Sequence, residues 1–328
     1  MLKHQPWLRL GRDIRVELEQ CLMEGRDVEK YRGIVDDICK MDDDTLMANE
    51  GWIAEVGAKM ASAPFREGWN YEEPSDLAGI FAAAPAEKPV LGETAGDEEL
   101  LKKLSGAWIG RIAGCLLGKP VEGWRRPTLL PVLKATGNYP MERYITQKEF
   151  SDELVAEHRL NRRACFADNI GDASPVDDDT NYTTFAMKLV ENYGKNFTAA
   201  DVMEGWMRWI PILATCTAER AAYRNAAMGL LPPETATYKN PYREWIGAQI
   251  RGDYFGYINP GNPELAAEMA SPLCRRDAEE LYARVMEASR STDSRVLVLD
   301  LYGVVQADTY SEYNGMQLLR SEVAAVMS

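Results

Sequence analysis

The chain has 328 residues, 46% of them hydrophobic and 27% charged, which allows one large domain or two modest ones around an ordinary core. Its 51 Asp and Glu residues outnumber 37 Lys and Arg residues, and the formal net charge of −14 disfavours contact with a phosphate backbone, so we expect no nucleic-acid partner. No run reaches the roughly 20 apolar residues that span a bilayer, and the N-terminus lacks a signal-peptide pattern, so we expect a cytoplasmic protein without membrane contact.

The rarity of histidine narrows the chemistry that the chain can perform. A Ser-His-Asp or Cys-His mechanism would have to use His4 or His158, and neither stands in a recognisable nucleophile context. The six cysteines form no CxxC pair, which favours reduced thiols over zinc or dithiol chemistry. If the chain is an enzyme, its chemistry is therefore expected to use carboxylates or a metal held by oxygen atoms.

The N-terminal residues 1–98 are predicted to form a helical extension and a linker. Ile14, Leu18, Cys21 and Leu22 recur at helical spacings of three and four. The later segment YEEPSDLAGIFAAAPAEKPVLGETAGDEE mixes proline, glycine, alanine and acidic residues, which predicts an irregular strap. We therefore place a boundary near residue 98.

The next element is a helix with a stripe of glycines, in LLKKLSGAWIGRIAGCLLGKPVEGW. Four glycines fall four residues apart on one helix face: Gly106, Gly110, Gly114 and Gly118. Because glycine costs about 1 kcal/mol per helix position relative to alanine, the stripe predicts the close approach of another backbone. Interrupting charges exclude a membrane stripe, and the spacing before Lys119 excludes a P-loop. Pro120 ends the helix, so the Glu122 carboxylate is predicted to point from its terminus into a cleft.

Further helices are predicted in the second half of the chain. An amphipathic helix follows Thr180 and ends at Gly194, with apolar positions at Phe185, Ala186, Leu189, Val190 and Tyr193. A second helix in FTAADVMEGWMRW is capped by Thr198, and a third lies in TCTAERAAYRNAAMGLL. Residues 240–261 are rich in glycine, aromatic residues and proline, which predicts an ordered loop that carries binding groups.

The tetrad DDDT occurs twice, at residues 42–45 and 177–180. Three adjacent carboxylates repel one another, so they must stay in water or share a cation. The first tetrad lies in a polar stretch and is predicted to be a solvated turn or helix cap. The second follows the turn GDASPV and opens an amphipathic helix, which holds its carboxylates near a core. An acidic helix cap and an oxygen-ligand site for magnesium or manganese are both open for this second tetrad.

Two stretches, GAWIGRIAGCLLGKPVEG and VDDDTNYTTFAMKLVENYG, resemble the ADP-ribosylglycohydrolase family, which includes the dinitrogenase reductase activating glycohydrolase and the ADP-ribosyl-acceptor hydrolases. The matching residues are Gly110, Gly114, Gly118, Pro120, Glu122, Asp177, Asp178, Asp179 and Thr180. A third stretch, WIGAQIRGDYFGYINPGNPELAAEMA, is similar to a loop of bacterial members that is expected to contact the ligand. The resemblance covers about residues 100–270 and implies an all-α, orthogonal helical domain over residues 99–270.

The resemblance also implies a reaction and its residues. Members of this family use two magnesium ions, so the chain is expected to bind Mg²⁺, or Mn²⁺ in its place, and to hydrolyse an N- or O-glycosidic ADP-ribosyl bond. ADP-ribose would be released from a modified acceptor. Metal ligands implied for this chain are Asp177, Asp178 and Asp179, and the catalytic residues are Glu122 and Asp178. Substrate contacts are implied for Gly118, Glu122, Gly247, Gln249, Gly252 and Asp253.

The chain departs from the family pattern at two places. Cys115 stands where members commonly have Asp in G-D-x-x-G. The downstream D-x-D-T/S motif is absent, and its nearest candidates, at Asp293, Asp300 and Asp308, have the wrong spacing. Residues 271–328 read as a divergent tail in which RVLVLDLYGVV predicts a buried strand.

Two interpretations therefore stay open. The chain is either a magnesium-dependent hydrolase or a catalytically impaired or truncated relative that binds ADP-ribose or serves as an interaction module. An incomplete domain would leave apolar helix faces uncovered, which predicts self-association. Phosphoryl transfer at the aspartate-rich site is less favoured, because the chain has no phosphate-cradling loop of the right spacing.

Overall fold

The computed structural model describes residues 7–74, 76–85 and 96–273, together with two short strands at 297–299 and 305–308. These described residues form fourteen α-helices and two β-strands, and this predominance of helix confirms the all-α prediction. The elements are α1 Leu10–Met23, α2 Arg32–Ile38, α3 Asp43–Ala48, α4 Glu50–Ala61, α5 Leu77–Ala83, α6 Asp97–Gly118, α7 Arg126–Ala135, α8 Asp152–His158, α9 Asp178–Tyr193, α10 Ala199–Trp209, α11 Thr217–Ala227, α12 Glu234–Thr237, α13 Gly247–Ile258, α14 Pro263–Ala270, β1 Leu297–Leu299 and β2 Val305–Asp308.

The described helices group into two compact units. One unit contains the helices up to residue 85 and those of residues 198–245, and the other contains residues 96–197 and 246–273. The domain boundaries at residues 98 and 270 divide the chain by its sequence pattern, and they stay a prediction. No helix within the described ranges is long and apolar enough to cross a bilayer.

The first unit is built on the apolar faces of α1, α2 and α4. Ile14, Leu18 and Cys21 are buried as their spacing predicts, and Leu22 packs at the edge of the same core. The core is completed by Val28, Val35, Ile38, Leu46, Ile53, Val56, Met60 and Ala63. The helical periodicity near the N-terminus is therefore confirmed, although it extends over several short helices.

Buried polar contacts join residues 198–245 to α1 within this unit. The Arg243 guanidinium, whose side chain is 11% exposed, pairs with Glu17 and with Glu24 at 2.8 Å each. The Tyr242 hydroxyl donates to the Asp13 carboxylate at 2.7 Å. A cavity of about 690 Å³ lies against the same helix, between α1, α4 and residues 237–243. These contacts are specific to the first unit and do not involve the second tetrad.

The predicted irregular strap contains a short helix, so that prediction is wrong over residues 77–83. The Asp76 carboxylate accepts a hydrogen bond from the Gly79 backbone N–H at 2.7 Å and caps α5. The run LAGIFAA that follows is rich in alanine, which is the best helix former. An N-cap followed by helix-forming residues outweighs the surrounding proline and glycine.

The second unit begins with α6, the predicted glycine-bearing helix. It ends at Gly118, and a 3₁₀ turn over Lys119–Val121 with the buried Pro120 follows it, as predicted. The predicted close approach of a backbone to the glycine stripe is wrong. All four glycines are exposed, and a Cβ atom added to any of them meets no atom of the described residues within 4 Å.

The predicted loop at residues 240–261 is wrong over most of its length, because residues 247–258 form the helix α13. Its buried residues, Gly247, Arg251 and Phe255, are spaced four apart and share one face, which packs against α9. The Phe255 ring also stacks on Phe197 at 5.6 Å between centroids. The glycines of this stretch predict turns, but the four-residue spacing of its buried positions is the stronger signal.

The remaining helix predictions are confirmed. α9 ends at Tyr193 and is followed by Gly194. Gly194 has a φ of 75°, a backbone conformation that glycine adopts at the end of a helix without strain. The Thr198 hydroxyl caps α10 and forms a capping box with Asp201. α11 lies in the predicted stretch.

In the tail, the predicted single strand is instead a pair of short antiparallel strands, with Leu297 opposite Asp308. Burial of this segment lies outside what the structure describes. Of the downstream ligand candidates, Asp293 and Asp300 lie outside the described residues, and Asp308 is described only as the last backbone position of β2.

Candidate metal centre

The second tetrad begins α9 by capping it. The Asp177 backbone is extended, and its carboxylate Oδ1 accepts a hydrogen bond from the Asp179 N–H at 3.1 Å. The Thr180 hydroxyl donates back to the Asp177 carbonyl at 3.1 Å. Asp177 is buried, with 7% of its surface exposed, whereas Asp178 and Asp179 are half-buried. The tetrad therefore has the helix-cap geometry that its sequence predicts and lies partly away from water.

A row of side chains on α6 and the first residue of the 3₁₀ turn after it lies against this helix terminus. The row consists of Arg111, Cys115 and Lys119, spaced four residues apart and thus on one helix face. The Lys119 ammonium is 2.8 Å from Asp177 Oδ2 and 3.0 Å from Glu122 Oε2. This face is one residue further along than the glycine stripe, and it supplies the contacts that the stripe was predicted to make.

Arg111 links three helices of the second unit. Its guanidinium donates to the Asp179 carbonyl at 2.6 Å and to the Ile250 carbonyl at 2.7 Å, and it pairs with the Asp253 carboxylate. The carbonyls belong to the first turn of α9 and to α13. Arg111 thus fixes the position of the tetrad relative to both α6 and α13.

Three side chains offer ligand atoms to one cation. The Cys115 Sγ and one carboxylate oxygen each of Asp177 and Asp179 all lie within 4.8 Å of one another. The structure therefore brings together two of the three predicted metal ligands. Asp178 is not a member of this group, and its predicted role as a ligand stays a prediction.

The charges of the tetrad perturb the acidity of its members. Burial, the hydrogen bond with Asp177 and the charge of Asp177 together raise the pKa of Asp178 to about 7, and burial has the largest effect. Burial and the charge of Asp177 also raise the pKa of Asp179 against the effect of Arg111. Two carboxyl groups thus resist ionisation, which is the condition that a bound cation relieves.

Lys119 has the opposite effect on Asp177. Burial acts to raise the pKa of Asp177, but hydrogen bonds from Lys119, Asp178 and the Asp179 N–H outweigh it, and the pKa is lowered. Burial acts to lower the pKa of Lys119, but its bonds with Asp177 and Glu122 prevail, and the pKa is raised. The Asp177 and Lys119 side chains therefore form a charged pair at neutral pH.

The donor set fits a hard divalent cation through its oxygen atoms. Asp177 and Asp179 carry the carboxylate ligands that Mg²⁺ and Mn²⁺ prefer. Burial raises the pKa of the Cys115 thiol to about 12, with the charges of both aspartates adding to the effect. A neutral thiol is a weak ligand for Mg²⁺, so Cys115 is the member of the group that suits this metal least.

The predicted substrate residues differ in their exposure. Glu122 follows the 3₁₀ turn with its side chain 70% exposed, and Gly118 is exposed at the end of α6. On α13, Gly247 is buried, Gln249 is exposed and Gly252 is half-buried. Asp253 is held by Arg111. Contact of these residues with a substrate stays a prediction.

Sequence reasoning overlooked the roles of Arg111, Cys115 and Lys119. The sequence pattern identifies Arg111 and Lys119 only as charges at the glycine-bearing helix, and Cys115 only as a departure from the family pattern. Their four-residue spacing was readable and placed them on one helix face. That this face meets the tetrad follows from packing, which the spacing does not specify.

The comparisons with known proteins identify the family of this chain. A family model described as ADP-ribosylglycohydrolase matches residues 96–288, which is more than half of the chain and includes both α6 and the second tetrad. No curated protein and no solved structure matches the chain.

Proposed function

The chain belongs to the ADP-ribosylglycohydrolase family, and from that premise we propose that it is a magnesium-dependent hydrolase, with Mn²⁺ as an alternative metal. It would cleave the N- or O-glycosidic bond between ADP-ribose and a modified acceptor in the cytoplasm and release ADP-ribose. The observation that carries this proposal is the convergence of Asp177 and Asp179 on one position within the family-matched region.

Asp177 and Asp179 would hold the cation. When bound, it supplies Lewis acidity and orients the ribose hydroxyls and a water molecule. The two aspartates define one cation position. The second position that the resemblance implies would need ligands from the tail, where Asp293 and Asp300 lie outside the described residues and Asp308 is described only as a backbone position of β2.

Asp178 is proposed to move the proton in this reaction. Its carboxyl group is half-buried at the start of α9, between the two proposed metal ligands, and a carboxyl group can serve as a general acid or base. Hydrolysis forms a bond from the water oxygen to the anomeric carbon and breaks the bond from that carbon to the acceptor. The water loses one proton and the acceptor gains one, and Asp178 would transfer this proton. The reaction would pass through an oxocarbenium-like transition state.

Glu122 and α13 would position the substrate. The exposed Glu122 carboxylate can accept hydrogen bonds from ribose hydroxyls at the end of α6. Gly118, Gly247 and Gly252 would leave room for the sugar and the phosphates, and the exposed Gln249 amide offers both a donor and an acceptor. Asp253, held in place by its ion pair with Arg111, would also contact the substrate.

The proposal is tested by measuring metal binding and product release together. Titration calorimetry with Mg²⁺ and ADP-ribose should show binding in the parent protein that is lost in D179A. Chromatography should show release of ADP-ribose from ADP-ribosylated arginine and serine peptides by the parent alone. Absence of metal-dependent ADP-ribose binding in the parent protein would exclude the enzymatic function.

One observation favours the alternative of an impaired relative. The Asp177 carboxylate already has a cationic partner, because the Lys119 ammonium lies 2.8 Å away. A protein that binds ADP-ribose without a metal and releases none from the modified peptides would be an ADP-ribose-binding or interaction module. The same titrations in EDTA therefore separate the two functions.

A further inference from the structure

The carboxylate at the head of the second tetrad is paired with a cation from the protein itself. Asp177 Oδ1 accepts the Asp179 N–H, and Oδ2 pairs with the Lys119 ammonium at 2.8 Å. Only 4% of the Asp177 side chain is exposed, against 26% for Lys119. Both oxygens of a buried candidate metal ligand are therefore already engaged.

Lys119 also has a second partner within reach. Its ammonium is 3.0 Å from Glu122 Oε2, and the Glu122 side chain is 70% exposed. Lysine is a point charge on a flexible stem, so its ammonium can leave one carboxylate for the other without a movement of α6. The ammonium also lies 5.6 Å from the centre of the Phe166 ring, which favours a cation at this position.

We propose that Lys119 is an internal counter-cation that competes with the metal for Asp177. In the metal-free protein its ammonium neutralises the buried carboxylate, and a divalent cation binds only when the ammonium has moved toward Glu122. The inference rests on the metal site of the proposed function. Its physical basis is that an ammonium and a divalent cation on the same carboxylate repel each other strongly in a partly buried site.

This competition lowers the apparent affinity for metal. The apparent affinity is the intrinsic affinity multiplied by the fraction of molecules in which Asp177 is free of Lys119. If the pair with Asp177 is formed in about nine molecules of ten, removal of the ammonium strengthens metal binding about tenfold. If Lys119 instead held Asp177 in position for the metal, removal of the ammonium would weaken metal binding.

The experiment measures Mn²⁺ binding by electron paramagnetic resonance in the full chain. K119M removes the ammonium and keeps the length of the side chain, and K119R keeps the charge. K102M is the matched control, because Lys102 lies on the same helix in an exposed pair with Glu98 at 2.8 Å. We expect K119M to bind Mn²⁺ about tenfold more tightly than the parent and K102M. Equal or weaker binding by K119M than by the parent would overturn the proposal.

A second measurement does not depend on metal. In EDTA, K119M leaves Asp177 buried without a partner, so its melting temperature should fall by about 5 °C or more relative to K102M. Mn²⁺ should restore more of this loss in K119M than it adds to the parent. A K119M protein as stable as K102M in EDTA would show that Lys119 does not neutralise Asp177. If K119M does not fold in EDTA, K119Q retains a hydrogen-bond donor and is measured in its place.

D179A separates this inference from the proposed function. If the parent binds Mn²⁺ and D179A does not, the metal site of the proposed function is supported. The Mn²⁺ affinities of the parent and K119M then test the competition between Lys119 and the metal. Binding in K119M alone supports the competition most strongly. If neither the parent nor K119M binds Mn²⁺, the metal site of the proposed function is wrong and the competition falls with it.

Discussion

The two DDDT tetrads have the same four residues and begin helices in the same way. In each, the first aspartate has an extended backbone and caps the helix that follows. The Asp42 carboxylate accepts the Thr45 N–H at 2.8 Å, and the Asp177 carboxylate accepts the Asp179 N–H at 3.1 Å. The sequence of the tetrad thus determines a helix cap at both places.

The tetrads differ in what covers them. All four residues of the first tetrad are exposed, as predicted, and hydrogen bonds from Thr45 lower the pKa of Asp42. In the second tetrad, Asp177 is buried and paired with Lys119, and burial raises the pKa of Asp178 to about 7. Water solvates the charges of the first tetrad, whereas those of the second must be neutralised by protein groups or by a metal.

The largest difference between the tetrads is expected when the third aspartate of each is removed. D179A should reduce metal-dependent release of ADP-ribose about 1,000-fold, or about 4 kcal/mol, because it removes a ligand of the cation. D44A changes the matched position of the exposed tetrad and should leave the rate within about twofold. Release rates at saturating Mg²⁺ check the pair. Equal losses in both variants would mean that the tetrads share one role.

The first aspartate of each tetrad tests stability. D177A removes the helix cap and the partner of Lys119, so the free energy of unfolding should fall by about 3 kcal/mol. D42A removes only an exposed cap, and its loss should be clearly smaller. Urea denaturation in EDTA compares the two variants. A loss in D42A as large as that in D177A would contradict the importance of burial.

The second aspartate tests the perturbed pKa. The pKa of Asp178 is about 7 in the folded protein against the ordinary value of 3.8, so the folded protein retains a proton that the unfolded chain loses. Its contribution to stability is complete below about pH 4 and is lost as the pH rises through about 7. The parent should therefore lose stability relative to D178N across this window in urea denaturation.

D43N is the matched control for this pH experiment, since it removes one charge from the exposed tetrad. Its stability should run parallel to that of the parent from pH 4 to pH 8. A constant difference between D178N and the parent over the same range would show that Asp178 does not titrate there.

The smallest effect concerns the thiol beside the second tetrad. C115D replaces a soft donor with a carboxylate, so Mg²⁺ should bind roughly tenfold more tightly, or by about 1.4 kcal/mol. The same change adds a negative charge to a repelling cluster and should lower stability in EDTA. C115S, which has a neutral oxygen, is the control. Unchanged Mg²⁺ affinity in C115D would place Cys115 outside the metal position.

Much of the helical structure was predictable because its signals are local. Thr198, Gly194 and Pro120 act on backbone atoms within a few residues, and each begins or ends an element where its chemistry requires. The glycines of α13 predict a loop, because glycine has a low helix propensity. Its burial against α9 stabilises a helix that intrinsic propensity alone does not favour.

The glycine stripe shows the limit of reading a helix face. The periodicity placed Gly110, Gly114 and Gly118 on one face, and this is true of the structure. Which face meets another helix is decided by the partner, and here the adjacent row of Arg111, Cys115 and Lys119 makes the contacts. The exposed glycines and the residues that line the candidate site are offset by one position along the chain.

Local sequence favours an aspartate cap at both tetrads, because a cap needs only a side-chain oxygen and the N–H groups of the next turn. It also determined membership of the family through the order of its motifs. The sequence context and the family resemblance already favour the second tetrad as the metal site, but the group of Cys115, Asp177 and Asp179 forms only through packing. The buried Asp177 likewise pairs with Lys119, which follows α6 and lies far away in the chain, so packing brings the two charges together.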